Sequence, residues 1–195
     1  RAGRGAEFVL EGDEYDSAFF DKTAKFLKYL PQIAVINNIE FDHADIYVDL
    51  EAVRLPFRRL VSLVPRNGLL LLGHDSPDAA ALRDVAVSPV ETFGTAEGAT
   101  WRAEEIEHAD GMTSFTVSHH GEAIGRFRSP LLGAHNVRNA LAAIAVGRSV
   151  GIAAGDLSAG LQAFKGVKRR LEIIGVGRDV TVMDDFAHHP TAVRE

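Results

Sequence analysis

Apolar positions along the chain fall into two textures, and the change comes near residue 90. Before it, continuous apolar runs alternate with stretches of helical periodicity. "AEFVLEGDE" (6–14) predicts a short buried strand that runs into an acidic loop. Phe19, Phe20, Phe26, Leu27 and Leu30 recur at helical spacing and predict a helix over 16–30, which Pro31 helps to stop. "IAVIN" (33–37) is a β-branched run of the kind covered on both faces in a parallel sheet. Leu50, Val53, Phe57, Leu60, Val61 and Val64 share one helical face, with Pro56 inside it. A proline in a helix interior costs about 3 kcal/mol, which predicts a kink or a late helix start. "NGLLLLG" (67–73) is another buried strand, and "DSPDAAALRDVA" (75–86) a helix with Ser76 or Asp75 as its cap and Pro77 at its first position.

After residue 90 the pattern alternates. "TWRAEEIEH", "MTSFTVSHH" and "EAIGRFRSP", joined at "ADG" and "HG", predict an antiparallel meander. "HNVRNALAAIAVGRSVG" (135–151) predicts a helix whose stripe is Val137, Ala140, Leu141, Ile144 and Ala145, with Gly151 suited to its end. A short helix over 156–164 follows. "RLEIIG" and "DVTVMDDFA" then predict two strands, and "HHPTAVRE" a helix start. The element order implies an α/β fold: a doubly wound, mostly parallel sheet flanked by helices, with a small antiparallel β meander.

Composition narrows the function classes. The 195 residues are 46% hydrophobic and 25% charged, enough for a sizeable core. Asp and Glu outnumber Lys and Arg by 27 to 21, giving a net charge of −6 and no basic run, which argues against nucleic acid as a partner. There is no cysteine, so neither disulfides nor thiolate metal sites enter. No apolar run reaches the roughly 18 residues of a membrane span. The chain begins with Arg and stops within an apparent helix start, so an internal piece of a longer protein is expected.

In open α/β sheets, ligands collect beyond the carboxyl ends of the parallel strands. "FVLEGDEYD" and "NNIEFDHADIY" (37–47) both put acids at such a mouth; if the two are neighbours, Glu11 and His43 converge. One carboxylate and one imidazole are a thin shell for Mg²⁺, and a Mn²⁺-like ion tolerates the imidazole better. The alternative is a solvated acidic loop at Glu11, Asp13, Glu14 and Asp16, with His43 as a helix cap. In "GAHNVRN" (133–139), either Asn136 or Asn139 suits a helix cap. Asn139 lies inside the predicted helix, where Asn is disfavoured, and its amide can both donate to and accept from a ligand base. "GVKRRLE" (166–172) offers adjacent arginines, one to clamp a phosphate and one to face solvent. "MDDFAHHP" (183–190) ends an apolar strand in acids and imidazoles, which suits ribose hydroxyls or a simple polar turn. His119 and His120 lie in a meander turn and receive no role. No G-x-x-x-x-G-K-[ST] loop occurs, and "GVGRD" (175–179) lacks both its Lys and its spacing.

In chain order, E-x-D-E-x-D, N-I-E-x-D-H-x-D, G-x-H-N-x-x-N, R-R-L-E and D-D-F-A-H-H-P resemble the Mur ligases of peptidoglycan synthesis, from Glu11 to Pro190. The resemblance implies the family's central ATP-binding domain over 1–171, without its P-loop strand, and a linker with the start of a C-terminal domain over 172–195. It implies a bacterial cytoplasmic ligase using ATP and Mg²⁺, in which a muramyl carboxylate becomes an acyl phosphate and an amine displaces phosphate. UDP-N-acetylmuramate and a peptide or amino acid would be the substrates. Glu11 and His43 match metal positions; His135, Asn136 and Asn139 the adenine side; Arg170 the phosphates; Asp185 the ribose. Glu14, Asp42, His188 and His189 match the substrate side, and His43, Glu11 and Arg170 the catalytic set.

Within the family, "EYDSAFFDK", "NNIEFDHADIY" and "DDFAHHPTAV" are most similar to the branch that joins L-alanyl-γ-D-glutamyl-meso-diaminopimelate to UDP-N-acetylmuramate in recycling. The branch that joins L-alanine comes second, and a non-catalytic α/β module is the alternative of a different class. "LEAVRLPFRRLV" (50–61) has no Lys, which argues against a carbamate-held second Mg²⁺. The chain by itself is expected neither to hydrolyse ATP nor to ligate.

Overall fold

The computed structural model describes residues 5–42 and 46–194. A hairpin of β1 (Asp16–Ala18) and β2 (Asp21–Ala24) leads into a 3-10 turn over Lys25–Lys28. Then follow β3 (Ile33–Ile36), α1 (Leu50–Leu63), β4 (Leu69–Gly73), α2 (Pro77–Ala80) with a 3-10 extension, and β5 (Val90–Gly94). The meander is β6 (Trp101–Ala109), β7 (Met112–His119) and β8 (Glu122–Ser129). After it come α3 (Ala134–Ser149), α4 (Ala154–Ala163), β9 (Glu172–Gly177), β10 (Val180–Asp184) and α5 (Pro190–Arg194).

The main sheet has six strands in the order β3-β4-β5-β6-β7-β8. β3 to β6 pair in parallel; β6 to β8 pair antiparallel. Because side chains alternate faces along a strand, the run at 69–72 feeds two cores. Leu70 and Leu72 pack with Val53, Leu60, Val61 and Val64 of α1 and its exit. Leu71 packs with Phe93, Trp101, Phe115 and the Leu141–Ile144 stripe of α3. A continuous apolar run is therefore what this position demands. The meander turns at Asp110–Gly111 and His120–Gly121 have positive φ at both residues, which matches the twist of tight hairpins. The α/β sheet with helices on both faces and an antiparallel meander is the expected architecture.

Local expectations fared unevenly. Ser76, not Asp75, caps α2 by accepting from Ala79 N–H. Asp75 instead receives the Thr95 and Ala96 amides. α1 starts at Leu50, capped by Asp49, and runs through a buried Pro56, so there is no late start. β5 has no counterpart in the sequence reading; five residues with one internal Thr are too short to show a period.

Two expectations fail. Residues 7–14 form no strand, and Phe8, Val9 and Leu10 are exposed. No strand among the described residues pairs with this run, and bonds from Lys25 N–H to Tyr15 and from Phe26 N–H to Asp13 draw its end onto the hairpin instead. Residues 16–30 form the hairpin and 3-10 turn rather than a helix. Asp21 accepts from the Thr23 amide and hydroxyl, and Ser17 Oγ donates to Thr23 O. Such side-chain bonds offer the backbone an alternative to helix. Of the periodic residues only Phe26 is buried; Phe19 and Phe20 stand exposed at the hairpin tip.

Candidate functional site

Side chains from three distant parts of the chain meet at the carboxyl end of the parallel strands. β3 and β4 lie so close there that a Cβ on Gly73 would sit 1.8 Å from Asn37 O, so only glycine fits. Asn37, the first residue beyond β3, donates through Nδ2 to Asn139 Oδ1 on α3 at 3.5 Å. Asn38 donates to Glu40 Oε1 at 3.1 Å. Ile39 between them is buried in the α1-side core, and this apolar anchor fixes the loop that carries the polar groups.

The segment after β10 closes onto this mouth. Thr191 Oγ1 donates to Glu40 Oε2 at 2.6 Å, and His189 places Nδ1 3.5 Å from the same carboxylate and Nε2 3.3 Å from Phe41 O. At the other end of the segment, Asp185 receives the Ala187 amide at 2.6 Å and the Leu171 amide at 2.7 Å. These amides hold its carboxyl below the usual carboxylate range, and the nearby Arg170 and His135 charges lower it further. Arg169 stacks over Phe186 with its guanidinium carbon 4.6 Å from the ring centroid, and its carbonyl accepts from Phe186 N–H. On the opposite flank, Tyr47 Oη donates to Glu14 O at 2.7 Å, tying the acidic stretch to the residues that follow the mouth. Burial pushes the Tyr47 phenol up.

The structure thus sets Asn139 against Asn37 and His189 against Glu40, and places Arg170 and His135 near enough to Asp185 for their charges to act on it. Glu11 is exposed on an irregular segment, and Glu14 contributes its carbonyl to Tyr47. Asp42 is half-buried at the end of the mouth loop. His43 and Asp45 lie outside the described residues, so the expected Glu11–His43 convergence lies outside them too. His188 turns toward Phe186, with Nδ1 2.9 Å from its carbonyl oxygen. Neither asparagine caps α3: Gly133, with φ 92°, holds the N-cap position, and Asn136 Nδ2 donates to Leu132 O at 2.7 Å. "GVGRD" is the end of β9 and the β9–β10 turn, with Arg178 and Asp179 of the turn both at positive φ.

Asn37, Arg169 and Thr191 were not among the expected site residues. The paired asparagines at the end of "IAVIN" were a usable signal for the first. Thr191 had none, since its partner lies 151 residues away.

A cleft of about 830 Å³ adjoins Arg170, lined also by Leu131, Phe164, Lys165, Lys168 and Ile173. Its three cations, set against the single carboxylate of Glu172, favour an anion. The Glu40 and Asp42 carboxylates and the Asn37 amide make the mouth rich in oxygen, which fits a hard cation such as Mg²⁺. An ionised Asp185 whose orientation two backbone amides fix, beside a guanidinium and an imidazole, fits a nucleotide's sugar and phosphates. No helix among the described residues is long and apolar enough to cross a membrane.

A family model described as the Mur ligase middle domain matches residues 4–147. UDP-N-acetylmuramate–L-alanyl-γ-D-glutamyl-meso-2,6-diaminoheptandioate ligase of Escherichia coli (strain K12) is 41% identical over 192 residues, covering 98% of this chain and 41% of that protein. UDP-N-acetylmuramate–L-alanine ligase of Geotalea uraniireducens (strain Rf4) is 38% identical over 194 residues, covering 100% and 41%. The crystal structure of a murein peptide ligase from Psychrobacter arcticus 273-4 superposes with a TM-score of 0.74 at 38% identity, covering 95% of this chain and 38% of that one. The chain therefore spans about two fifths of the length of the curated relatives it matches.

Proposed function

This chain belongs to the Mur ligase family, and on that premise we propose that it is the nucleotide-handling part of an ATP-dependent amide ligase. The whole protein, in this reading, joins L-alanyl-γ-D-glutamyl-meso-diaminopimelate to UDP-N-acetylmuramate in the bacterial cytoplasm, serving peptidoglycan recycling. The observation that carries the proposal is the closure of 185–191 onto the strand mouth, through Thr191 to Glu40 and Asp185 beside Arg170 and His135. Relatives named for this reaction support it.

ATP and Mg²⁺, when bound, supply the phosphoryl group that activates the carboxylate and the charge that neutralises the phosphates. Asp185 takes the ribose hydroxyls, its lone pairs oriented by the Leu171 and Ala187 amides. Asn136, Asn139 and His135 frame the base from the first turns of α3. Arg170, at the rim of a cationic cleft, faces the phosphates. Glu11 and His43 hold the cation. Glu14, Asp42, His188 and His189 lie toward the substrates, and His189 acts through its hold on Glu40 and Phe41. Residues 1–171 make up the central domain and 172–195 the linker and the start of the next. The separate two-stranded sheet of β9 and β10 supports that boundary.

The test is ligation by the whole protein, with ATP, UDP-N-acetylmuramate and either the tripeptide or free L-alanine as acceptor. The tripeptide should be used faster. A clear preference for L-alanine would assign the protein to the other branch, and no ATP-dependent ligation of either would sink the enzymatic reading.

A further inference from the structure

The middle strands of the main sheet, β5 to β7, carry a second constellation that the ligase reading does not use. Strand register builds it. Phe93 of β5 pairs with Trp101 of β6, and Trp101 with His119 of β7, so the three side chains share one face. Glu91, two residues before Phe93, lies on that face as well. The β7–β8 turn then adds His120, held at φ 51° in a tight hairpin. One oxygen, Glu91 Oε1, lies 3.3 Å from His119 Nε2 and 4.0 Å from His120 Nε2. One donor atom from each of these three residues lies within 4.8 Å of the other two.

We infer that Glu91, His119 and His120 form a binding site for a borderline divalent ion of the Zn²⁺ or Ni²⁺ class. Bonds of about 2.0–2.1 Å in a tetrahedral shell put neighbouring ligand atoms about 3.3–3.4 Å apart. The Glu91–His119 pair already has that separation, and His120 Nε2 needs to close on Glu91 Oε1 by roughly 0.6 Å. Its exposed ring has room to do so. The supporting groups are also in place. Trp101 Nε1–H donates to Glu91 Oε2, which turns Oε1 toward the imidazoles. The indole stacks on His119 at 3.9 Å between ring centroids and fixes that ring. Such outer contacts hold ligands in the orientation a metal needs. Two imidazoles with one carboxylate select against Mg²⁺, which prefers oxygen. Three protein ligands leave one position for water. The ion would join β5 to the β7–β8 turn, two to four strands across the sheet from β3 and Asn37.

Trp101 is the chain's one tryptophan, and this makes the test direct. Titrating Co²⁺ into the intact metal-free chain should quench Trp101 fluorescence saturably at one equivalent, and Zn²⁺ should reverse the quenching. Millimolar Mg²⁺ should not. His120→Ala, at an exposed turn position, should weaken Co²⁺ binding at least about tenfold, and Glu91→Gln likewise. Quenching that fails to saturate, or that keeps the same midpoint in both variants, would place the ion elsewhere among the histidines and overturn the assignment.

Discussion

Two runs in this chain read alike and fold differently. Leu70, Leu71 and Leu72 are each 0% exposed, whereas Phe8 is 84% and Val9 87% exposed. Ile173, Ile174 and Val176 of β9 side with the second group. Apolar content does not separate them; neighbours do. β4 has a strand on each side and a helix on each face, so every side chain in its run meets a packed surface. Residues 8–10 have no strand partner among the described residues, and β9 pairs only with β10. Burial is a property of the site a run is given, because the hydrophobic gain requires another surface from which water can be displaced. The candidate site sits where the two kinds of region meet. Its scaffold is β3, β4 and α3; many of its polar groups lie on the exposed loops and the 165–191 segment.

The largest expected effect tests the comparison itself. Leu71→Ala should destabilise the chain by about 2–5 kcal/mol, through lost burial and a cavity. Phe8→Ser should change stability by no more than about 0.5 kcal/mol. Urea denaturation midpoints measure both, and equal losses would mean that residues 8–10 are packed after all.

Next is the join between scaffold and mouth. A methyl at Gly73 overlaps Asn37 O, so Gly73→Ala must push β3 and its loop away, at a cost of about 1–3 kcal/mol. Amide signals of Asn37 to Phe41 should shift, while those of β7 and β8 stay. Unchanged signals at the mouth would show that β4 can yield instead.

In the exposed region, a change should affect binding more than folding. Asp185→Ala in the whole protein should raise the KM for ATP about tenfold or more, as expected for losing charge-assisted hydrogen bonds, with little change in denaturation midpoint. A large stability loss with unaltered KM would make Asp185 a clasp for Leu171 and Ala187 only.

The smallest effect concerns pH. Lys28, and after it Thr23, hold the Asp21 carboxyl down from 3.8 to about 2. Because the folded value is the lower one, the hairpin's contribution is fully present above the ordinary value and is lost as pH falls through about 2. Carboxyl NMR of Asp21 should titrate near that point, and the shift should shrink in Lys28→Ala while the Thr23 bonds keep part of it. A midpoint near 3.8 in the parent chain would remove the ion pair from the account.

Much of the fold was legible where one period governed a long segment. The α3 stripe from Val137 to Ala145 lies buried as spaced, and the alternating strands of the meander formed with their turns at Asp110–Gly111 and His120–Gly121. The phenylalanines of 16–30 misled because five residues can match a helical period by chance, while Asp21 and Thr23 bond locally against it. At the site, Arg170, Asp185 and His135 were legible as motifs, and the charges of the first and last act on Asp185. Thr191 was not, since it carries meaning only beside a partner far along the chain.

By itself the sequence determined the α/β class, the α3 helix, the hairpin turns and the family, all of which rest on local pattern and ordered motifs. Only the tertiary structure decided which apolar runs are buried. Only it set Gly73 against Asn37, brought Thr191 to Glu40, and put Glu91, Trp101 and His119 on one face. The reason is physical: propensity and period act over a few residues, whereas burial and side-chain convergence depend on strand register and on which surfaces meet.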